Sequence, residues 1–265
     1  MKQIKSILAD ADGTLIEGGN FQNFPPELKG AIANVRSDGI LFNLASGRPF
    51  FEQEILYDLL IGDENKNPQE GILYEGSSLK MFDKAESFVL GGLKKDQVQE
   101  IKAFIVKHDL CVGLVPQSNN DKYETQTGYV TPPFITEGRT DLALLQSRFP
   151  ATKDAIERQF PYAEVSMSAD AIDVFARGVT KAKPTAKYSQ VTGISLDQIA
   201  VFGDSGNDMP MFEVVGKEGG LTVYVGTNPE QEKIINSYKH HFIPEQRGPL
   251  GVVQGLEYIL KLNQE

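Results

Sequence analysis

Short apolar segments alternate with amphipathic helical segments at both ends of this chain, and that alternation limits the folds open to it. Near the N-terminus, strands are predicted at Ile4 to Ala9, at Ile40 to Ala45 and at Ile72 to Tyr74. The segments between them, Pro25 to Asp38 and Phe50 to Leu60, have the residue spacing of helices. Because strands that alternate with helices form parallel sheets covered on both faces, the sequence predicts an α/β fold.

The same alternation returns in the C-terminal third of the chain. Strands are predicted at Ile199 to Phe202 and at Leu221 to Val225, with helices at Met209 to Val215 and at Pro229 to Ser237. A last amphipathic helix follows, and its apolar face contains Val252, Val253, Leu256, Ile259 and Leu260. Both ends of the chain are therefore expected to contribute to one core domain.

The middle of the chain has a different pattern and is expected to form an inserted α+β domain. A helix is predicted from Lys95 to His108, and strand-like runs follow at Cys111 to Val115, Ala163 to Met167 and Ile172 to Phe175. The polar stretch Gln117 to Thr140 is long for a connection, so it is either a functional loop or contains an element that its pattern does not reveal. We place the core domain at residues 1–83 and 177–265 and the inserted domain at residues 84–176.

The overall charge and the single cysteine argue against several classes of protein. The 265 residues carry a formal net charge of -10, which disfavours binding to nucleic acid or to an anionic membrane surface. Cys111 is the only cysteine, so neither an internal disulfide nor a cysteine metal cluster can form. No segment approaches the ~20 apolar residues of a membrane span, and the N-terminus lacks the features of a signal peptide. We therefore expect a cytoplasmic protein.

Two acidic clusters directly follow predicted strands. They are Asp10-Ala11-Asp12-Gly13-Thr14-Leu15 and Gly203-Asp204-Ser205-Gly206-Asn207-Asp208. In an open parallel sheet, ligands bind beyond the carboxyl ends of the strands, so the four acids can reach one edge of the sheet. Carboxylates that converge there can hold one hard cation. Each cluster alone is well explained by a solvated turn or a helix cap, but two clusters at the ends of separate strands favour a site.

Two further segments offer groups that bind phosphate. Ser46-Gly47-Arg48 ends the second predicted strand, where a hydroxyl and free backbone N–H groups at a helix start can bind a phosphate. In isolation, an ordinary serine N-cap explains that segment better. A lysine beside an acidic metal site would neutralise phosphoryl oxygens, and Lys181, Lys183 and Lys187 are candidates. The residues alone do not choose among the three lysines.

In order and spacing, these four segments together resemble the motifs of the haloacid dehalogenase superfamily. Asp10 through Thr14 is similar to its first motif, Ser46 to its second, Lys181 to its third, and Gly203 through Asp208 to its fourth. The insertion between the second and third motifs is similar to the large cap of the Cof-type branch. The resemblance implies a Rossmann-like, doubly wound parallel sheet core with an inserted α+β cap domain.

The resemblance also implies an activity, that of a Mg²⁺-dependent phosphatase that acts on a small phosphorylated molecule. Asp10 would attack phosphorus to form an aspartyl phosphate, and Asp12 would protonate the leaving oxygen and then activate water. The metal would be held by Asp10, the backbone carbonyl of Asp12, Asp204 and Asp208. The phosphoryl oxygens would be bound by Ser46, Gly47, Lys181 and Asn207. Sugar phosphates are the commonest substrates of this branch, and a monomer or weak homodimer is expected.

Three positions depart from the pattern of that branch. Ala182 stands where Gly usually follows the lysine, which leaves Lys183 as a second candidate for the active-site lysine. Glu75-Gly76 stands where Asn-Gly is frequent, and Ser46 stands where Thr is common but keeps the hydroxyl. Ala182 therefore affects the choice of the active-site lysine, and Glu75-Gly76 affects the region that precedes the insertion.

Three other functions are compatible with parts of the pattern. A phosphotransferase or mutase would use the same residues and return the phosphate to a second hydroxyl. A non-catalytic binding or regulatory module is expected to lack a motif residue, and none of the main ones is missing. A receiver domain also uses an aspartate and Mg²⁺, but the Asp10 and Asp12 pair at the first strand and the large insertion disfavour it.

Overall fold

A computed structural model describes residues 1–48, 50–74, 78–82, 87–108, 142–167 and 172–264. The chain divides into two compact units, one formed by Met1–Leu90 with Thr180–Glu265 and the other by Gly91–Val179. The strand predicted at Cys111 to Val115, the polar stretch Gln117 to Thr140 and the pair Glu75-Gly76 lie outside the described residues. None of the described helices has both the length and the apolar character needed to cross a membrane.

The strands and helices follow one another along the described residues as follows. The strands are β1 (Ser6–Ala9), β2 (Leu41–Ser46), β3 (Gly71–Tyr74), β4 (Ser78–Met81), β5 (Ser87–Val89), β6 (Ala163–Met167), β7 (Ile172–Ala176), β8 (Ile199–Gly203), β9 (Leu221–Tyr224) and β10 (His241–Phe242). The helices are α1 (Pro26–Ser37), α2 (Phe50–Ile61), α3 (Lys95–Lys107), α4 (Leu142–Gln159), α5 (Ala182–Thr192), α6 (Met209–Lys217), α7 (Pro229–Ile235) and α8 (Gly248–Gln264).

The first unit contains a sheet with the strand order β10-β9-β8-β1-β2-β3-β4-β5. The pairs from β10 to β3 are parallel, and β3, β4 and β5 pair antiparallel. In the middle, β1 pairs with β8 on one side and β2 on the other, with Ala9 opposite Phe202 and Leu44. The carboxyl ends of these three strands therefore lie side by side, and the residues that follow them share one edge of the sheet.

Apolar side chains cover both faces of this sheet. Ile7 and Ala9 of β1 belong to a buried cluster with side chains of α1, α2 and α8. Leu8, which points to the opposite face, belongs to a second cluster with side chains of α5, α6 and α7. Strand side chains alternate between faces, so the consecutive apolar residues Ile7, Leu8 and Ala9 are expected to be covered on both sides. The predicted doubly wound α/β fold is confirmed.

The second unit has its own core and its own sheet. Strands β6 and β7 pair antiparallel, and Val165 lies opposite Val174. Both valines are buried in a cluster with Val98 and Ile101 of α3 and Ile156 of α4. Helices packed on an antiparallel sheet form an α+β arrangement, as predicted for the insertion.

The core elements predicted from the sequence are present, with ends shifted by no more than two residues. Five of the described elements were not predicted: β4, β5, β10, α4 and α5. Strands β4 and β5 contain four and three residues, which is too short for the alternation of apolar residues to stand out. Helix α5 begins Ala182-Lys183-Pro184 and is largely polar, so its apolar face was not evident. It positions a residue of the candidate site nonetheless.

Candidate functional site

Three aspartates meet at the carboxyl ends of β1 and β8. Asp10 directly follows β1, and its backbone N–H donates to the carbonyl of Phe202 in β8 at 3.0 Å. Asp204 directly follows β8, and Asp208 lies four residues further on. One carboxylate oxygen from each of the three lies within 4.8 Å of the others. Only 4% of Asp10 and none of Asp208 is exposed, so these carboxylates form a largely buried acidic group.

Local hydrogen bonds fix the position of Asp208. Residues Gly206–Asp208 form one turn of 3-10 helix, and Met209 then begins α6 with Pro210 in its first turn. The Oδ2 atom of Asp208 accepts hydrogen bonds from the backbone N–H groups of Asp204 at 3.0 Å and Ser205 at 3.1 Å. The bond from Ser205 is part of a capping box, and Oδ1 of Asp208 accepts a hydrogen bond from Nζ of Lys181.

Lys181 bridges two of the three aspartates. Its Nζ atom lies 2.6 Å from Oδ1 of Asp10 and 2.7 Å from Oδ1 of Asp208, and its side chain is only 1% exposed. The residue immediately precedes α5, and Thr185 anchors that turn by donating from Oγ1 to the carbonyl of Lys181 at 2.7 Å. A cation is unfavourable at the start of a helix, so the two carboxylates supply the compensating charge.

The charge of this group is suited to a divalent cation. Three carboxylates and one ammonium leave a formal charge of −2 in a largely buried place. Burial raises the pKa of Asp10 well above its ordinary value; Lys181 opposes that rise, and Asp208 adds to it. Burial and the charge of Asp208 likewise raise the pKa of Asp204 to about 6. Several carboxylate oxygens of this kind are the ligands that Mg²⁺ prefers, so the residues present fit such an ion.

Mg²⁺ binding should therefore weaken as pH falls through about 6. Because the pKa of Asp204 is raised to about 6 in the folded protein, the carboxyl takes up a proton below that value, and the proton competes with the metal. We expect Mg²⁺ affinity to fall at least roughly tenfold for each pH unit below about 6, with proton release on binding, because the pKa of Asp10 is raised as well. Isothermal titration calorimetry across this range, in two buffers of different ionisation enthalpy, measures both quantities.

The pH dependence of stability expected from Asp204 is opposite to that of most acids, whose pKa is lower in the folded state than in the unfolded state. A raised pKa in the folded state means that ionising Asp204 costs stability, so the metal-free protein should lose stability as pH rises from about 4 to about 6. Mg²⁺ should restore that loss, and thermal melts with chelator or with Mg²⁺ follow both changes. An affinity that stayed constant between about pH 5 and about pH 7 would contradict the role given to Asp204.

Two glycines give the carboxylates their space. Gly13 has a φ of 81°, and a Cβ atom built on it would lie 2.4 Å from Oδ2 of Asp204. A Cβ atom on Gly203 would lie 2.5 Å from Cγ of Asp208. No side chain can occupy either position without moving an aspartate, because real Cβ contacts are not that short.

Gly13→Ala should displace Asp204 and weaken Mg²⁺ binding by at least ~10-fold, a loss typical of changes that misplace a metal ligand. Gly18→Ala is the matched control, because Gly18 also has a positive φ of 61° but has no atom within 4 Å of its added Cβ. Both variants carry the backbone strain, and only Gly13→Ala carries the collision. Calorimetric titration with Mg²⁺ compares them. Equal losses in the two variants would mean that strain alone accounts for the effect.

Asp12 occupies a different position from the other acids. Its carboxylate is not part of the close group, and its side chain is 44% exposed. Arg48 holds it through two bonds, from Nε to Oδ2 at 2.6 Å and from Nη2 to Oδ1 at 2.7 Å. A metal role for Asp12 would therefore need its backbone carbonyl rather than its side chain.

Apart from Lys181, the residues proposed to bind phosphate follow strands at the same edge of the sheet but make no side-chain hydrogen bond to the three aspartates. Ser46 ends β2, is 1% exposed, and accepts a hydrogen bond at Oγ from the backbone N–H of Arg48 at 3.2 Å. Gly47 follows it. Asn207 is exposed, and its Oδ1 atom accepts from Oγ of Ser205 at 2.6 Å. Of the described residues, only Lys181 donates a side-chain hydrogen bond to Asp10.

The structure distinguishes the candidate lysines by burial. Lys181 is buried against Asp10 and Asp208, Lys183 is exposed, and Lys187 lies with its Nζ 4.9 Å from the ring centroid of Phe88. Lys183 and Lys187 lie two and six residues after Lys181. Their positions on helix α5, rather than their residue type, distinguish them from Lys181.

Three residues that support the site were not singled out from the sequence. Thr14 donates from Oγ1 to Oδ1 of Asp204 at 3.0 Å and thereby joins the two acidic loops. Arg48 holds Asp12 as described. Gly226 follows β9, and a Cβ atom on it would lie 2.0 Å from the carbonyl oxygen of Asp204. Thr14 and Arg48 lie in the segments that begin at Asp10 and Ser46, where a polar residue close to a strand end indicates a possible site residue. The sequence around Gly226 contains no such indication.

Comparison with known proteins finds relatives of this chain both in sequence and in structure. The sequence matches the model of the haloacid dehalogenase-like hydrolases over residues 7–134 and 139–238. Phosphoglycolate phosphatase 1 of Saccharolobus solfataricus is 23% identical over 258 residues, which make up 97% of this chain and 96% of that protein.

Solved structures share the fold. Thermoplasma acidophilum 0175 has a TM-score of 0.71 at 14% sequence identity, with 98% of this chain and 99% of that chain covered. A haloacid dehalogenase-like hydrolase from Bacteroides thetaiotaomicron has a TM-score of 0.69 at 16% identity, with 97% of this chain and 100% of that chain covered.

Proposed function

Because this chain belongs to the haloacid dehalogenase-like hydrolases, as its motifs suggested, we propose that it is a Mg²⁺-dependent phosphatase that uses Asp10 as a nucleophile. One observation carries the proposal: Asp10 is buried beside Asp204 and Asp208 and is bonded to Lys181. An anionic nucleophile can approach an anionic phosphate only where positive charge offsets the repulsion. A buried lysine on the nucleophile and a group of acids suited to a divalent cation meet that requirement.

Asp10 would attack phosphorus in line with the leaving oxygen. An oxygen of its carboxylate forms a bond to phosphorus as the bond from phosphorus to the substrate oxygen breaks. Asp12 gives a proton to that leaving oxygen, and the alcohol departs. Asp12 then takes a proton from water, the water oxygen attacks phosphorus, and the bond between phosphorus and Asp10 breaks. Inorganic phosphate is released and both carboxyl groups return to their starting states.

The remaining residues would bind and neutralise. Lys181 holds Asp10 in place and offers charge to the phosphoryl oxygens, and Ser46, Gly47 and Asn207 would bind those oxygens from the same sheet edge. Asp10, Asp204, Asp208 and the backbone carbonyl of Asp12 would hold Mg²⁺. When bound, that ion supplies positive charge to offset the negative charge of the nucleophile and the phosphoryl group.

The substrate proposed is a small organic phosphomonoester, and a sugar phosphate is the first expectation. That expectation comes from the resemblance to the Cof-type branch. The relative named phosphoglycolate phosphatase 1 supports including a phosphorylated hydroxy acid among the candidates. An acid at position 12 favours oxygen esters, because a leaving oxygen needs a proton whereas a halide does not.

A panel of phosphoesters tests the proposed function. Sugar phosphates, 2-phosphoglycolate, nucleotides and p-nitrophenyl phosphate would be incubated with the purified protein, and phosphate release would be measured with Mg²⁺ and with chelator. We expect Mg²⁺-dependent release into water without any added acceptor. Turnover that requires an acceptor alcohol would instead identify a phosphotransferase, and the absence of turnover across the panel would favour a binding module.

A further inference from the structure

Arg48 holds the carboxylate of Asp12 in one orientation. Its Nε and Nη2 atoms donate to the two oxygens of Asp12, at 2.6 Å and 2.7 Å, which is the paired geometry that a guanidinium and a carboxylate form best. Among the described residues, no other side chain bonds to this carboxylate. Since the Asp12 side chain is 44% exposed, it would turn about its two side-chain bonds if Arg48 were removed.

Arg48 is itself fixed by three further contacts. Its Nη1 atom donates to Oε2 of Glu52 in the first turn of α2 at 2.8 Å, and its Nη2 atom donates to the carbonyl of Gly19 at 2.9 Å. The guanidinium carbon lies 4.6 Å from the ring centroid of Phe21. Arg48 therefore connects the loop that follows β1 to the start of α2.

The engagement of Arg48 argues against a direct contact with substrate. Both oxygens of Asp12 and one oxygen of Glu52 already accept from its guanidinium, and its side chain is 19% exposed. Two carboxylates against one guanidinium leave a negative local charge, which does not attract a second anion. The contacts of Arg48 instead indicate that it holds the side chain of Asp12 in place.

We propose that Arg48 is a positioning residue that orients the ionised Asp12 carboxylate for the step in which it takes a proton from the attacking water, and that Glu52 holds Arg48 for this purpose. The inference rests on the proposed function, in which Asp12 is the acid and base. Proton transfer requires a group within hydrogen-bond reach in the correct orientation, and a displacement of about 1 Å can cost roughly 10²-fold in rate. Arg48 acts on the reaction only through Asp12.

A double-mutant cycle between Arg48 and Asp12 tests this inference with p-nitrophenyl phosphate and Mg²⁺. Arg48→Met should lower kcat by ~10–100-fold and change KM by less than about threefold, because orientation of Asp12 is lost while phosphate binding is kept. In the Asp12→Asn background, the same substitution should change kcat by less than about threefold, since its effect passes through Asp12. Arg48→Lys should recover only part of kcat, because an ammonium cannot bond both oxygens in a plane.

Two glutamates in α2 distinguish the specific effect of the contact with Arg48 from the general effect of removing one negative charge. Glu52 pairs with Arg48, and Glu54 pairs with Lys80; their side chains are 30% and 32% exposed. Glu52→Gln should lower kcat several-fold and only while Asp12 is present, whereas Glu54→Gln should leave kcat unchanged. Equal effects of the two glutamate variants would overturn the part given to Glu52.

The outcomes distinguish this inference from the proposed function. If Asp12→Asn retained the parent kcat, the role of Asp12 in the proposed function would be wrong. If Asp12→Asn were impaired but the Arg48→Met loss were fully additive, only the positioning role of Arg48 would be wrong. A rise in kcat in Arg48→Met would also overturn it, because Arg48 would then restrain Asp12. Thermal melts of each variant identify a loss that comes from unfolding.

Discussion

Asp10→Asn should lose phosphatase activity by ~10⁴-fold or more, because the amide cannot form the bond to phosphorus on which the proposed reaction depends. The loss should fall on kcat, and substrate should still bind. The fold should persist, since burial already disfavours the charged form of Asp10 and a neutral side chain of the same shape fits the position. Steady-state kinetics with the best substrate of the phosphoester panel, with circular dichroism as a check on folding, measures the effect.

Asp38→Asn is the control for that substitution. Asp38 is an exposed aspartate directly after α1 and before β2, so it belongs to neither acidic cluster. The change is chemically identical, and kcat should match the parent value. Retention of parental kcat by Asp10→Asn would show that another group attacks phosphorus or that water does so directly.

Lys181→Met should lower kcat by ~10²–10³-fold, which is the cost of removing one preorganised group that stabilises developing charge. It should also reduce the free energy of unfolding by about 3–5 kcal/mol when Mg²⁺ is chelated, because removing one partner leaves buried carboxylates uncompensated. Mg²⁺ should recover part of the lost stability by supplying positive charge to the same acids. Urea unfolding with chelator and with Mg²⁺ measures the second effect, and kinetics measures the first.

Lys183→Met provides the comparison for Lys181→Met within the same turn of helix. Lys183 is exposed, two residues after Lys181, and it was the alternative that the sequence left open. Its replacement should leave kcat and stability close to the parent values, as surface substitutions usually do. If Lys183→Met were inactive and Lys181→Met active, the assignment of the lysine would have to be exchanged.

The part of the site that lies on strand ends could be predicted from the sequence. Asp10 and Asp204 each follow an apolar strand, and adjacent parallel strands bring such positions to one edge. The sequence pattern of each strand was sufficient to predict this part of the site, because the sheet itself brings the residues that follow neighbouring strands together. The second unit was partly evident from a change in pattern, since helix α3 and strands β6 and β7 show their periods, whereas helix α4 was missed.

Other features depend on contacts that sequence spacing does not specify. The choice of Lys181 rests on which of two nearby lysines points inward, and that depends on how α5 packs. The position of the Asp12 carboxylate depends on Arg48, which is 36 residues away. The closeness of Gly226 to Asp204 depends on two separate strand ends. Each is a tertiary contact between segments whose own sequence is compatible with several arrangements.

The proposed reaction depends most on a covalent bond between phosphorus and the carboxylate of Asp10. The most direct measurement is to quench the reaction with substrate and Mg²⁺ in acid, reduce the protein with borohydride, and identify the modified residue by peptide mass spectrometry. Borohydride converts an aspartyl phosphate to homoserine, so homoserine is expected at position 10 only when substrate and Mg²⁺ are both present. Homoserine at another aspartate, or an unmodified Asp10 in a protein that turns substrate over, would contradict the proposed reaction.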